Sequence, residues 1–378
     1  MRSFTQALLR STLVALVTLA ALVVTPAYAH KASDAYLTLR IQGDAVDGQW
    51  DIALRDLEAA IGLDADGDGA ITWAEVRAQH GAIAAYAAAR LTLTSGVATC
   101  PVEVTEHLID DHTDGSYAVL RFHARCAGEI NDLQMRYALL FDRDPQHRGL
   151  VRIDTTAGTQ SSVLSPDSPT LRIEPGSTSS LAGFGRYLVE GVWHIWIGFD
   201  HILFLLALLL PAVLRREDGR WRAVETFGAA LMDVVRVVTA FTVAHSITLA
   251  LATLGILTLP SRPVEVAIAA SVMIAAANNI RPVAHARRWV AAFAFGLIHG
   301  FGFAGVLGDL GLPASALAAS LLAFNLGVEL GQLAIVAVFL PLAFWLRRGA
   351  VYQRVILVFG SAIVFIVATV WLIERLYQ

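Results

Sequence analysis

Beyond Tyr187 the chain is a succession of apolar runs, each of membrane-crossing length and each carrying polar residues that a bilayer penalises. A helix needs about 20 largely apolar residues to cross roughly 30 Å of hydrocarbon. The runs are Tyr187–Leu214, Val234–Thr253, Val264–Ile280, Val290–Leu307, Ala316–Leu340 and Arg354–Ile373. Inside them stand His194, Asp200, His201, His245, Glu265, Asn278, Asn279, His299, Asn325, Glu329 and Gln332. An ionisable group at the bilayer centre costs about 2.5–3.5 kcal/mol even on lenient insertion scales. The histidines and carboxylates therefore need a compensating use, and a shared metal ion or a proton path is the simplest.

Loop charges give the expected orientation. Arg215, Arg216, Arg220, Arg222 and Arg236 follow the first run, Arg281, Arg287 and Arg288 the third, and Arg347, Arg348 and Arg354 the fifth. The opposite loops carry only Arg262 in 257–263 and no Arg or Lys in 309–314. The positive-inside rule then predicts a six-helix transmembrane bundle with both ends outside, in a bacterial cytoplasmic membrane. At the N-terminus, Arg2 and Arg10, an uncharged run to Val24 and the small residues before His30 read as a signal peptide over 1–29. An uncleaved first helix is the alternative. The expected organisation is thus signal peptide 1–29, exported domain 30–175, linker 176–186 and membrane domain 187–378. A formal charge of −4 and the absence of a basic patch with interleaved aromatics set nucleic acid aside as a partner.

In 30–175, short alternating runs (Ala35–Ile41, Gln49–Leu54, Tyr117–Phe122, Gln134–Phe141, Leu150–Ile153) separated by turn signals predict an antiparallel β-sandwich-like domain. Cys100 and Cys126 are expected to form a disulfide, with two free buried thiols as the alternative. An insertion breaks the pattern: helix-forming Arg55–Leu63, the loop 64–75, then helix-forming Val76–Arg90. The loop matches the EF-hand pattern, with Asp64, Asp66 and Asp68 as oxygen ligands and Gly69 at the sharp turn. The carbonyl of Ala70, the hydroxyl of Thr72 and a bidentate Glu75 complete the expected calcium site. A single such loop suits a structural staple; calcium sensing is the other reading. His30, if chain-terminal, offers amine and imidazole to Cu(II), with His107, His112, His123 and His147 as further donors; most such histidines are ordinary surface residues.

In the membrane half, His194 and His201 share a face but lie about 10.5 Å apart along a straight helix, too far for one ion. They are either successive stations, or Gly198 opens the helix and brings them together. Asp200 is the expected partner that orients a neighbouring imidazole. His245 lies with Ser246 and Thr248, His299 is ringed by glycines that permit close helix approach, and Asn325, Glu329 and Gln332 fall on one stripe. Interhelical hydrogen bonding alone is the better reading for Asn278, Asn279 and Gln332. His285 lies in an Arg-rich loop and is incidental.

At His194-x5-Asp200-His201-Ile-Leu-Phe, Phe241-Thr-x2-Ala-His245-Ser, His299-Gly-x-Gly-Phe-Ala304 and Phe324-Asn-x-Gly-Val-Glu329-x-Gly-Gln332 the chain resembles the HupE/UreJ family, in its larger-ectodomain branch. The resemblance implies a six-span protein linked to nickel or cobalt uptake. A looser similarity to nickel/cobalt transporters differs in spacing, with five residues between His194 and Asp200 where that signature has four. The expected function is divalent transition-metal permeation (Ni, Co, Cu or Zn) through a site of His194, Asp200, His201, His245, His299, Asn325 and Glu329. Two alternatives stand beside it: an intramembrane zinc hydrolase, and a membrane-anchored assembly or sensing protein that binds an exported partner or a second copy. No Gly-x-Ser-x-Gly or His-Glu-x-x-His is present, which ranks transport above catalysis.

Overall fold

The structure, a computed structural model, describes residues 33–377 except 113, 177–179, 218–219, 282–286 and 303–313. The expected signal peptide, His30, His285 and Ala304 lie outside the described residues.

Ten strands build the N-terminal region: β1 (Asp34–Gln42), β2 (Ala45–Ala53), β3 (Leu91–Ser95), β4 (Ala98–Cys100), β5 (Val102–His112), β6 (Gly115–Arg125), β7 (Leu133–Tyr137), β8 (Arg148–Thr155), β9 (Gly158–Leu164) and β10 (Thr170–Ile173). They form a six-stranded sheet, β5-β6-β2-β1-β8-β9, and a four-stranded sheet, β10-β7-β3-β4. Leu37, Leu39, Trp50, Leu120 and Val151 of the first sheet share one core with Leu93, Met135 and Tyr137 of the second. Two sheets therefore face each other as expected, but the pairing is not purely antiparallel. β1 and β8 run in parallel, with Leu37 beside Val151 and Leu39 beside Ile153. Alternation reports which face of a strand is buried and is silent on direction; a parallel partner needs a long crossover, here the chain between β1 and β8. A Cys100–Cys126 disulfide, with Cα atoms 4.5 Å apart, ties β4 to the end of β6.

The insertion is helical on both sides of its loop. α1 (Leu54–Ile61) buries Leu54 and Leu57, and α2 (Trp73–Ala78) starts at a capping box in which Thr72 and Glu75 hydrogen-bond reciprocally. The single helix expected over Val76–Arg90 is two. The chain leaves helical geometry at Gln79 (φ −96°, ψ 7°), and α3 (His80–Ala88) turns to bury Ile83 and Ala87.

The C-terminal region is helical: α4 (Ser180–Ile197), α5 (Phe199–Leu209), α6 (Phe227–Thr253), α7 (Ser261–Ile280), α8 (Arg288–His299), α9 (Ala314–Leu346) and α10 (Leu357–Tyr377). Four of these spans are individually long and apolar enough to cross a membrane, and α4 with α5 makes a fifth if taken as one broken span bent by 71°. α8 is a shorter apolar helix of 12 residues. Outward-facing Val189, Trp193, Leu231, Leu326, Val338 and Ile366 present apolar surface that water would not tolerate at this density. The protein is therefore membrane-embedded. A hairpin, β11 (Leu214–Glu217) with β12 (Arg220–Ala223), follows α5, where the first expected run ends at Leu214.

The six-stranded sheet is not held away from the bundle. Tyr36, Tyr117, Leu150 and Val163, on its face opposite the small sheet, join Tyr187, Ile195, Leu321 and Phe324 in one apolar cluster. Arg148 Nε lies 3.1 Å from Glu190 Oε2 across the same junction, and Arg186 donates to Ser162. The segment expected as a linker is helical from Ser180.

Candidate metal centre

Gly198 decides between the two arrangements the sequence leaves open for the first span. It separates α4 from α5 with ψ 94°, and the break folds His201 back on His194 until their ring centroids are 4.5 Å apart. A Cβ at Gly198 would stand 2.7 Å from both the His194 carbonyl oxygen and His201 Nδ1, so no larger residue fits without moving them. His201 in turn faces His299 edge-on at 5.6 Å. The ring of Phe241 lies 5.4 Å from His299 and stacks on His245 at 5.9 Å. Phe204 packs on His299 at 4.8 Å and Phe324 on His194 at 5.2 Å. The four intramembrane histidines thus gather around a ring of phenylalanines.

Close helix approach makes this possible. On α4 and α9, Gly191 and Gly327 bring Cα to within 3.0 Å of where a Cβ would sit, and Gly296 and Gly300 seat the end of α8 against the α6 backbone beside His245. His245 lies eight residues from the end of α6, and Phe324 ten residues into α9. At 1.5 Å per residue the cluster is about 12–15 Å below the sheet-side rim of the bundle.

The ring nitrogens are the chemically informative atoms. His201 Nε2, His245 Nδ1 and Nε2, and His299 Nδ1 are shut off from solvent and lack a hydrogen-bond partner among the described residues. A buried polar atom left unpaired costs about 1–3 kcal/mol. Ser271 fixes the tautomer of His299: its hydroxyl lies 2.7 Å from Ile268 O and 2.9 Å from His299 Nε2. With its one proton given to the carbonyl, it accepts from Nε2–H, which leaves the Nδ1 lone pair facing the cluster.

Asp200 sits beside His201, with Oδ1 2.9 Å from Nδ1, but out of line with the ring N–H, so the contact is electrostatic and not a hydrogen bond. Oδ1 accepts instead from the His201 backbone N–H at 2.8 Å, and Oδ2 lies 3.7 Å from Arg375. Ser271 and Arg375 are additions that sequence reasoning misses. A serine in an alanine-rich helix carries no signal, and Arg375 falls just past the expected end of the sixth span.

The stripe on α9 divides. Gln332 is buried and accepts from Thr242 Oγ1 at 3.2 Å, and Asn279 donates to Ala207 O at 2.7 Å, both structural uses as expected. Asn325 donates back to Leu321 O, leaving its Oδ1 unpartnered. Glu329 is half-buried and has no hydrogen bond or ion pair among the described residues. It lies five residues beyond Phe324, about 7.5 Å deeper by helical rise, so it extends the line of polar groups without joining the imidazoles.

In the sheet domain, one ligand atom each from Asp64, Asp66 and Asp68 converges to within 4.8 Å of the others. Among the described residues no other group of three or more His, Cys, Asp or Glu converges so tightly. Gly69, at φ +85°, supplies the left-handed turn. Asp64 accepts from the backbone N–H groups of Gly67 and Gly69, and Glu75 closes the loop by accepting from Ala65 and Thr72. Those hydrogen bonds, led by the Thr72 backbone, hold the Glu75 carboxyl down to about 2. Ile71 packs on the domain's own core instead of awaiting a partner loop. The remaining histidines serve elsewhere. His123 pairs with Asp47 at 2.8 Å, His112 with Asp51 at 3.1 Å, and His147 is buried between Ser33 and Tyr137.

No curated protein sequence matches the chain significantly. The family profile described as HupE / UreJ protein matches residues 172–375, more than half of the chain and every helix from α4 to the last turns of α10. The chain belongs to the HupE/UreJ family.

Proposed function

We propose that this protein is a permease for divalent transition metals of the nickel/cobalt class, with His194, His201, His245 and His299 as the intramembrane ligand set. The observation that carries the reading is the set of buried, unpartnered imidazole nitrogens on three separate helical segments. Neutral imidazole is the ligand type shared by Ni, Co, Cu and Zn sites. A cation that enters from the sheet side exchanges water for His194 and His201, and then for His299 and His245. Each step offers one or two ligands and never a closed cage, which suits a path better than a store. Glu329, deeper on α9, is the next station, and its carboxylate offsets the charge of the departing ion. Asp200 sets the field at His201, and its other oxygen is turned toward Arg375.

The reading includes an orientation. Arg288 with Asp233, Arg347 with the carbonyls of Val224 and Glu225, and Tyr352 with Leu210 O meet at one end of the bundle. The opposite end carries the sheets. With the arginine-rich end inside, 180–209, 227–253, 261–280, the segment that begins with 288–299, 314–346 and 352–377 make six crossings of the cytoplasmic membrane, with the sheet domain outside. The EF-hand-like loop is a calcium staple for that domain, with Asp64, Asp66, Asp68, the Ala70 carbonyl, Thr72 and Glu75 as ligands.

A hydrolase would need a free carboxylate beside the imidazoles to activate metal-bound water, whereas Asp200 is shared between His201 and Arg375 and Glu329 lies about 7.5 Å deeper along its helix. Transport is the reading this geometry favours. The test is metal accumulation by cells expressing the full chain. His201→Ala and His299→Ala are expected to abolish uptake while the protein inserts normally; unchanged accumulation of Ni, Co, Cu and Zn in both would refute the reading.

A further inference from the structure

Two imidazoles of the exported region have no part in the site above. His80 opens α3, directly after the acidic loop and its exit helix α2, and His107 stands on β5 opposite Leu120 of β6. α3 lies against β5 and brings the two rings to 4.0 Å between centroids, tilted by 53°. The Nε2 atom of each is closed to solvent and has no hydrogen-bond partner among the described residues. Buried side-chain nitrogens nearly always find a partner, and a neutral imidazole offers one donor and one acceptor. A direct N–H···N bond would satisfy both rings, yet the tilted arrangement does not form one. Two side chains from different elements are thus packed together with their metal-binding atoms unsatisfied.

We propose that His80 and His107 form a second transition-metal site, which takes a copper- or zinc-class divalent cation through their two Nε2 atoms. Imidazole nitrogen suits these cations, and copper binds nitrogen sites most tightly of the divalent first-row series. Trp73 closes one side, its ring 5.7 Å from His80. Water or an exogenous donor completes the coordination. The site shares α2 with the acidic loop: Glu75, which closes that loop, lies five residues before His80. The site stands apart from the membrane histidines and does not depend on the permease reading.

The experiment uses the full chain in detergent, stripped of metal and titrated with Zn²⁺, with bound metal counted per chain. His80→Ala and His107→Ala are each expected to bind one equivalent less than the parent. Unchanged stoichiometry in both overturns the proposal. A second readout guards against misfolding. Cu²⁺ should quench a fluorescence component that vanishes in Trp73→Phe and is no longer quenched in His80→Ala. Should an alanine variant lose its far-ultraviolet circular dichroism, His107→Gln replaces it under the same criterion. Trp73 quenching that survives in His80→Ala overturns the site, as does full zinc stoichiometry in His107→Gln.

Discussion

His147 shows how one buried side chain can set a pH limit for a whole region. Its Nδ1 lies 2.6 Å from Ser33 Oγ, and its Nε2 lies 2.7 Å from the Tyr137 hydroxyl. Ser33 gives its own proton to Asp56, so His147 donates from Nδ1 and accepts at Nε2, the neutral form. Burial first, and the Arg148 charge second, lower its pKa from 6.5 to about 3. A group lowered on folding contributes stability that is fully present above its unfolded value and lost as pH falls toward its folded one. The loss therefore runs from pH 6.5 down through about 3. Each decade of displaced protonation is worth about 1.4 kcal/mol, so the effect is on the order of a few kcal/mol. Hydrogen exchange of β7 and β8 measured between pH 7 and 4 should show protection falling in the parent and falling less in His147→Gln. Equal slopes would show that folding does not depress the His147 pKa. At this scale the sequence gives the membrane histidines and the loop carboxylates by type and spacing alone. It is silent on Ser271 and Arg375, because their roles come from what they meet across helix boundaries.

The break at Gly198 and the acidic loop are the two elements whose form decides their use. The seven-residue spacing of His194 and His201 is legible, but whether the helix breaks depends on room, and room is a tertiary property. Gly198→Ala places a methyl against the His194 carbonyl and His201 Nδ1. The clash should cost about 1–3 kcal/mol, as overpacking does, and prise the two imidazoles apart. Metal accumulation is expected to fall as far as in His201→Ala while membrane insertion is retained; full activity would show that the 4.5 Å approach of these rings is not needed. The convergence of the acidic loop's carboxylates is legible because it is local: three aspartates, a turn glycine and a closing glutamate lie within 12 residues. If it holds calcium, a concentration of 100 times the dissociation constant should stabilise the sheet domain by about 2.7 kcal/mol. Thermal denaturation with and without calcium is the measurement. Glu75→Gln should remove the calcium-dependent shift and leave the calcium-free melting temperature little changed; a shift that persists would move the staple elsewhere. The helix after the loop was less legible, since the turn at Gln79 that splits α2 from α3 is dictated by burying Ile83 and Ala87.

On the scale of the whole molecule, the sheets and the helices are one packed body. The reason is already in the strands, although it cannot be read without their neighbours. β1 begins with four buried residues in succession, the signature of a strand covered on both faces. One face meets the small sheet and the other meets the bundle. The Arg148–Glu190 pair pins this junction, with the two side chains 14% and 19% exposed. Glu190 lies one turn before His194 on α4, so the six-stranded sheet touches the helix that carries the first of the proposed metal ligands. An exposed pair such as Arg121–Glu106, at 52% and 49% exposure, contributes about 0–1 kcal/mol at most. A hydrogen-bonded charge pair away from water is worth about 1.5–3 kcal/mol, and losing one partner strands the other. Glu190→Gln and Arg148→Gln are therefore each expected to raise hydrogen exchange in β8 and in the first turns of α4, and to lower metal uptake. Arg121→Gln should do neither. The exchanged pair Arg148→Glu with Glu190→Arg restores the attraction with its polarity reversed and should recover much of both losses. If uptake is instead indifferent to Arg148 and Glu190 while exchange responds, the sheet is merely anchored to α4. The path to His194 would then begin on another face of the bundle.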